Sequence, residues 1–231
     1  MNTGNPHKHN PTEPLSFNEL QQDIAERIER ISDEFKNGFN LLKNSEKSVT
    51  FFGSARTHKE DPDFIQAKEL AGRITKELGY AIITGGGPGV MEAANCGSSE
   101  ADGTSIGLTI KLPNEQVTNS CIDNHMDFQY FFARKVCLSY AAEAYVYFPG
   151  GFGTMDELFE ILTLVQTKKI SPVPIILVGS EYWNKFDAFI KENLVKSGKI
   201  DSEDIELYKI TDDSDEVIEI IKKAPIRKFT D

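Results

Sequence analysis

The chain has 231 residues, 39% of them hydrophobic, and a formal net charge of −11. Such a length can bury a full core as one domain, or as one domain with appendages. No apolar run approaches the ~20 residues of a membrane helix, and an acidic chain lacks the basic face that a nucleic-acid backbone demands. Neither a membrane nor a nucleic acid is therefore expected as a partner, whereas a small nucleotide in a local pocket remains compatible. The segment MNTGNPHKHNPTEP has no apolar signal sequence, which predicts a cytoplasmic protein. Cys96, Cys121 and Cys137 are odd in number and lack C-x-x-C spacing, so free thiols in a reducing compartment are expected. His7 and His9 fall in a polar tail and His58 and His125 stand alone, which gives no metal signature.

Residues 1–15 are rich in Pro, Asn, Thr and His without periodicity and read as a disordered leader. An N-terminal helix follows over 16–44, because Leu20, Ile24, Ile28, Ile31, Phe35 and Phe39 recur at three and four. It is expected to pack on the flank of the domain or on a partner subunit. From residue 45 to 231 the pattern alternates. SVTFFGS reads as a strand, DFIQAKELAGRITKELG as a helix, YAIITGGGPG as a strand with a glycine turn, and VMEAANCGSSEAD as a short helix. TSIGLTIKL is a strand, MDFQY a candidate strand, FFARKVCLSYAAE a helix, and AYVYF a strand that runs into PGGFGTMDE and the helix LFEILTLVQ. PVPIILVG and LYKIT are the last strands, with WNKFDAFIKENLVKSG and SDEVIEIIKKA as their helices. Strands alternating with helices, several of them apolar on both faces, predict an α/β, Rossmann-like, doubly wound parallel sheet covered on both sides.

Ligands of such sheets bind beyond the carboxyl ends of the strands. Three glycine turns gather there: GSAR (53–56), GGGPGV (85–90) and PGGFGT (149–154). Each opens a helix and can aim free amides at an anion, phosphate being the natural candidate. The dinucleotide fingerprint G-x-G-x-x-G/A fails, since its third position is Val90, Glu92 or Asp156 in the available registers, and no P-loop is present. A glycine turn also serves simply to bend the chain, and one such turn alone leaves that reading open. Thr154 and Glu157 fit a capping box, with Thr154 at the N-cap and Glu157 at N3. The same carboxylate, close to a helix N-terminus, also suits a base or a cation stabiliser. Arg134 and Lys135 interrupt an apolar helix, either as a solvated ion pair or with one of them over the ligand crevice.

PGGFGTMDE matches P-G-G-x-G-T-x-x-E. Together with the Arg134–Lys135 pair and GGGPGVMEAAN it resembles the LOG (Lonely Guy) family of cytokinin riboside 5'-monophosphate phosphoribohydrolases, whose relatives are often labelled lysine decarboxylases. The resemblance runs from about Val49 to Gly179, and LPNEQ and FFARK resemble its longer bacterial branch. It implies hydrolysis of the N-glycosidic bond of a purine-type nucleoside 5'-monophosphate, such as a cytokinin riboside 5'-monophosphate or AMP, to free base and ribose 5-phosphate, with no cofactor and no metal. Carried over by position, Arg134 and Glu157 would be catalytic, Gly150, Gly151, Gly153 and Thr154 would hold the 5'-phosphate, and Glu115 and Lys135 would lie near ribose or base. Ser54 and Gly87 would line the same crevice. Family members are at least dimeric, which implies a homodimer or larger homo-oligomer. A pyridoxal-dependent decarboxylase would need a Schiff-base lysine and a partner for the ring nitrogen, and nothing around Lys135 supplies the rest of that site. The alternative is a non-enzymatic nucleotide or molybdenum cofactor carrier on the same fold, which has no evident need of Arg134 and Glu157 together. A structural or regulatory oligomer would rest on the N-terminal helix alone.

Overall fold

The computed structural model describes residues 17–43, 45, 47–112 and 118–226, so the leader expected over 1–15 lies outside the described residues. After helix α1 (Phe17–Leu42) come β1 (Ser48–Phe52), α2 (Pro62–Leu78), β2 (Ala81–Thr84), α3 (Val90–Glu100), β3 (Ser105–Ile110) and β4 (Asn124–Phe128). Then follow α4 (Phe131–Tyr140), β5 (Ala144–Tyr147), α5 (Phe152–Gln166), β6 (Ile175–Leu177), α6 (Ser180–Phe189), β7 (Lys209–Ile210) and α7 (Ser214–Lys222). A π-helical segment (Ile190–Val195) and a 3-10 turn (Ser202–Leu207) separate α6 from β7. Among the described residues no helix is long and apolar enough to cross a membrane.

The strands form one seven-stranded sheet in the order β4-β3-β2-β1-β5-β6-β7, every pair parallel. The chain starts in the middle, builds outward through β2, β3 and β4, then returns over the sheet and builds the other way from β5. Right-handed crossovers running in opposite directions must place their helices on opposite faces. Accordingly α2 and α3 cover one face, joined by α7, and α4, α5 and α6 cover the other. The period of two within each strand serves both cores. Val146 and Phe148 face α2 and α3, while Tyr145 and Tyr147 face α4 and α5. The reversal of strand order between β1 and β5 makes their carboxyl ends the topological switch point, where open α/β sheets bind ligands.

Helix α1 packs over only half its length. Phe35 packs on the core, Phe39 meets Tyr140 edge to face at 5.1 Å, and Gly38 is buried against Cys137 of α4. Leu20, Ile24 and Ile28, part of the same apolar stripe, stay exposed. Glu34 of α1 accepts hydrogen bonds from the amides of Gln129 (2.6 Å) and Tyr130 (3.2 Å), so a carboxylate from α1 serves the N-terminus of α4. The expectation of free thiols is corrected in part. Cys96 of α3 and Cys121, in the segment before β4, form a disulfide with Cα atoms 4.8 Å apart, while Cys137 is a free, buried thiol. Residues 25 apart in sequence meet because β2, β3 and β4 are neighbours and stack the two segments at one end of the sheet.

Candidate active site

The turns after β1 and β5 are held against each other at the switch point. The amide of Ser54 donates to the carbonyl of Pro149 (3.0 Å), and the amide of Val90 donates to the carbonyl of Ser54 (3.1 Å), so all three glycine turns meet there. This close approach is what the glycines allow: a Cβ on Gly89, which has φ +70°, would stand 2.2 Å from the Ser54 carbonyl oxygen. The result is a cleft of about 830 Å³, the size of a small-ligand site. Its walls include Ser54, Arg56, Gly85, Arg134, Gly151, Gly153 and Glu157.

Helix α5 enters this cleft by its N-terminus. Gly151 is the N-cap, and the first intrahelical bond runs from the Met155 amide to the Gly151 carbonyl (3.0 Å). The amides of residues 152 to 154 therefore have no partner within the helix and form an anion-binding end. The capping box expected of Thr154 and Glu157 is not formed, because the helix begins at Phe152 and places both residues inside it. An extended glycine at 151 lets the chain enter the helix three residues before the threonine, whose side chain instead packs over Gly150. Among the described residues, a Cβ added at Gly151 or Gly153 would meet nothing within 4 Å. No contact among the described residues requires glycine at these two places, whereas a ligand closing on the backbone would. From the opposite wall, the Tyr182 hydroxyl of α6 donates to the Gly150 carbonyl (2.6 Å) and fixes the loop.

Glu157 lies one turn further along α5, 6% exposed. Among the described residues its Oε2 is buried with no hydrogen-bond partner, and the Lys135 ammonium lies 3.8 Å away. Burial pushes its carboxyl up to about 7, against the opposing pull of Lys135 and Arg134. An unsatisfied buried carboxyl oxygen is costly in a finished fold, and it is the kind of group a site keeps for a ligand. Arg134, on α4, reaches the same cleft. Its Nε donates to the carbonyl of Leu108 (2.6 Å) and its guanidinium to that of Gly85 (3.4 Å). Burial draws its pKa down and the nearby Glu157 opposes this; an arginine still keeps its charge.

The other residues expected at the site divide. Ser54, Gly150, Gly151, Gly153 and Thr154 line the cleft with Arg134 and Glu157. Lys135 is not part of its lining and is held by Asp156 (2.7 Å) and Glu160 (2.8 Å) as well as by Glu157. Burial works to lower the pKa of its ammonium, but the bonds to Asp156 and Glu160 prevail and raise it. Gly87 is buried and outside the cleft lining, and its carbonyl accepts from Asn119 Nδ2 (3.0 Å). Asn119 also bonds Asn95, which bonds Thr84 and Ser105, so Gly87 belongs to the scaffold of its loop. Glu115 lies outside the described residues. Arg56, Gly85, Met91, Phe131, Phe152 and Tyr182 also line the cleft and were not among the expected site residues. Arg56 sits in the GSAR turn already marked as a ligand turn, whereas Tyr182 comes from α6, whose sequence gives no sign that it reaches another loop.

The family model described as "Possible lysine decarboxylase" matches residues 91–221, more than half the chain. The chain belongs to this family, the LOG family. A rice protein named "Probable cytokinin riboside 5'-monophosphate phosphoribohydrolase LOG4" is 26% identical over 180 residues, covering 75% of each chain. A Mycobacterium marinum protein named "Cytokinin riboside 5'-monophosphate phosphoribohydrolase" is 23% identical over 176 residues, covering 74% of this chain and 90% of its own. Among solved structures, TM1055 aligns with TM-score 0.58 at 24% identity, over 77% of this LOG-family chain and 99% of its own. The molybdenum cofactor binding protein of Rippkaea orientalis aligns with TM-score 0.55 at 20% identity, over 76% and 96%. At these identities the structural likenesses establish the fold.

Proposed function

We propose that the protein hydrolyses the N-glycosidic bond of a purine-type nucleoside 5'-monophosphate, either a cytokinin riboside 5'-monophosphate or AMP, releasing the base and ribose 5-phosphate. The observation that carries this reading is the buried carboxyl of Glu157, whose Oε2 has no hydrogen-bond partner among the described residues, in one cleft with Arg134 and the open amides of α5. Cleavage of an N-glycoside passes through a sugar with oxocarbenium character, so the site must supply an anionic group near C1' and a positioned water. The 5'-phosphate takes the α5 N-terminus, over the open faces of Gly151 and Gly153. The ribose then falls one helical turn along, beside Glu157, whose ionised carboxylate stabilises the cation or orients the water. Arg134 is held by two backbone carbonyls with its charge beside Glu157, where it orients the substrate. Fixing the phosphate remote from C1' confines the ribose in reactive geometry.

The names of the rice and mycobacterial relatives support this reading. A pure carrier of nucleotide or molybdenum cofactor would have no use for a desolvated carboxylate at the sugar position. Self-association accompanies the reading: Leu20, Ile24 and Ile28 of α1 and Phe131, Phe132 and Val136 of α4 leave apolar surface exposed. The test is to incubate the protein with AMP and with N6-isopentenyl AMP and to separate the products by chromatography. Free base and ribose 5-phosphate in equal amounts are expected. Tight binding of either nucleotide without either product would replace the hydrolase with the carrier.

A further inference from the structure

The cleft contains a cation that the reading above has not used. We propose that Arg56, in the turn after β1, is the side chain that closes on the 5'-phosphate, opposite the amides of α5. This assignment rests on the nucleotide reading of the cleft.

A phosphate monoester carries close to two negative charges at neutral pH, and three unpaired amides with half a helix-dipole charge do not balance it. Among the described residues the basic side chains that line the cleft are Arg56 and Arg134; Lys135, outside the lining, is held by Asp156, Glu160 and Glu157. Arg134 lines the cleft, but its guanidinium is committed to the carbonyls of Leu108 and Gly85 and lies beside Glu157, the position of the sugar. Arg56 also lines the cleft, is exposed, and has no carboxylate within ion-pair distance among the described residues. Its backbone is nonetheless fixed. The Arg56 amide donates to Ser54 Oγ (3.0 Å), and the Ser54 amide bonds the Pro149 carbonyl at the start of the phosphate turn. A guanidinium that is free at its tip and anchored at its root, one strand away from α5, suits a planar two-point grip on phosphate oxygens. The division of labour is then Arg56 for the phosphate, Arg134 for the sugar and Lys135 for the acidic face of α5.

The experiment is calorimetric titration of the full chain with ribose 5-phosphate, and with adenosine as a ligand lacking phosphate, for wild type, Arg56→Ala and Arg56→Lys. Arg56 is exposed, so both variants are expected to fold as wild type. The expected result is a loss of affinity for ribose 5-phosphate of about tenfold or more in Arg56→Ala, partial recovery in Arg56→Lys, and unchanged adenosine binding. Added salt should weaken wild-type binding more than that of Arg56→Ala. Equal ribose 5-phosphate affinity in wild type and Arg56→Ala overturns the assignment, as does a wild type that binds no ribose 5-phosphate. If binding depends on Arg56 but no nucleotide is cleaved, the hydrolase reading falls and the assignment of Arg56 stands.

Discussion

Replacing Glu157 by glutamine should stabilise the protein above neutral pH. The carboxyl is 6% exposed, and burial raises it from an ordinary 4.5 to about 7. Between these values the folded chain holds a proton that the unfolded chain has released. The stability contributed by this group is therefore greatest below about 4.5, declines as the pH rises through about 7, and is level beyond. At ~1.4 kcal/mol for each pH unit, the difference amounts to about 3 kcal/mol. Glutamine has the shape of the protonated acid and cannot ionise. At pH 8 the Glu157→Gln variant should exceed wild type by about that amount, a rise in Tm of roughly 6–12 °C for a chain of this size. At pH 4.5 the two should melt together. Thermal unfolding followed by circular dichroism from pH 4.5 to 8.5 measures the difference directly. A variant equal to wild type or weaker at pH 8 would show that the carboxylate is satisfied in the fold, and the case for it as a group reserved for substrate would fail.

For the proposed hydrolysis the same titration acts with the opposite sign. In the proposed hydrolase the ionised carboxylate is the working form, so kcat/KM for AMP should climb as pH rises through about 7 and lose that limb in Glu157→Gln. Gly153→Ala adds a Cβ into open space, so the free protein should keep its stability or gain roughly 0.5 kcal/mol, while nucleotide affinity measured by calorimetry drops because the ligand can no longer reach the backbone. Glu34→Ala removes both bonds to the start of α4, at 2.6 and 3.2 Å, and should cost roughly 1.5–3 kcal/mol in urea unfolding. Turnover should fall with it, since Arg134 rides on that helix.

The sheet was legible in the sequence because its central strands are buried on both faces. Continuous apolar runs such as AYVYF and PIILV are what doubly covered strands require, and glycine turns between them mark the binding edge. The cleft residues of PGGFGT were legible for the same reason: glycine in a βα turn is visible without coordinates. Other features were not, because they depend on where a helix begins or on which segments the topology brings together. T-x-x-E matches a capping box in sequence, but Gly151 starts α5 earlier and turns Glu157 into the cleft. The Cys96–Cys121 pairing follows from the adjacency of β2, β3 and β4, which no cysteine spacing encodes. Arg134 and Lys135 are adjacent on one helix yet point to different surroundings, one to backbone carbonyls at the cleft and the other to the acids of α5. Only the packing of α4 against α5 distinguishes them.

The central claim is that Glu157 acts on the sugar while the glycine turn holds the phosphate, and the most direct measurement separates the two roles in one variant. AMP binding and AMP turnover should be measured side by side for wild type and Glu157→Gln at pH 8. The prediction is a fall in kcat of roughly 10²–10⁴-fold with nucleotide affinity within a few fold of wild type. Turnover that survives the substitution, or binding lost along with it in a folded variant, would contradict the account.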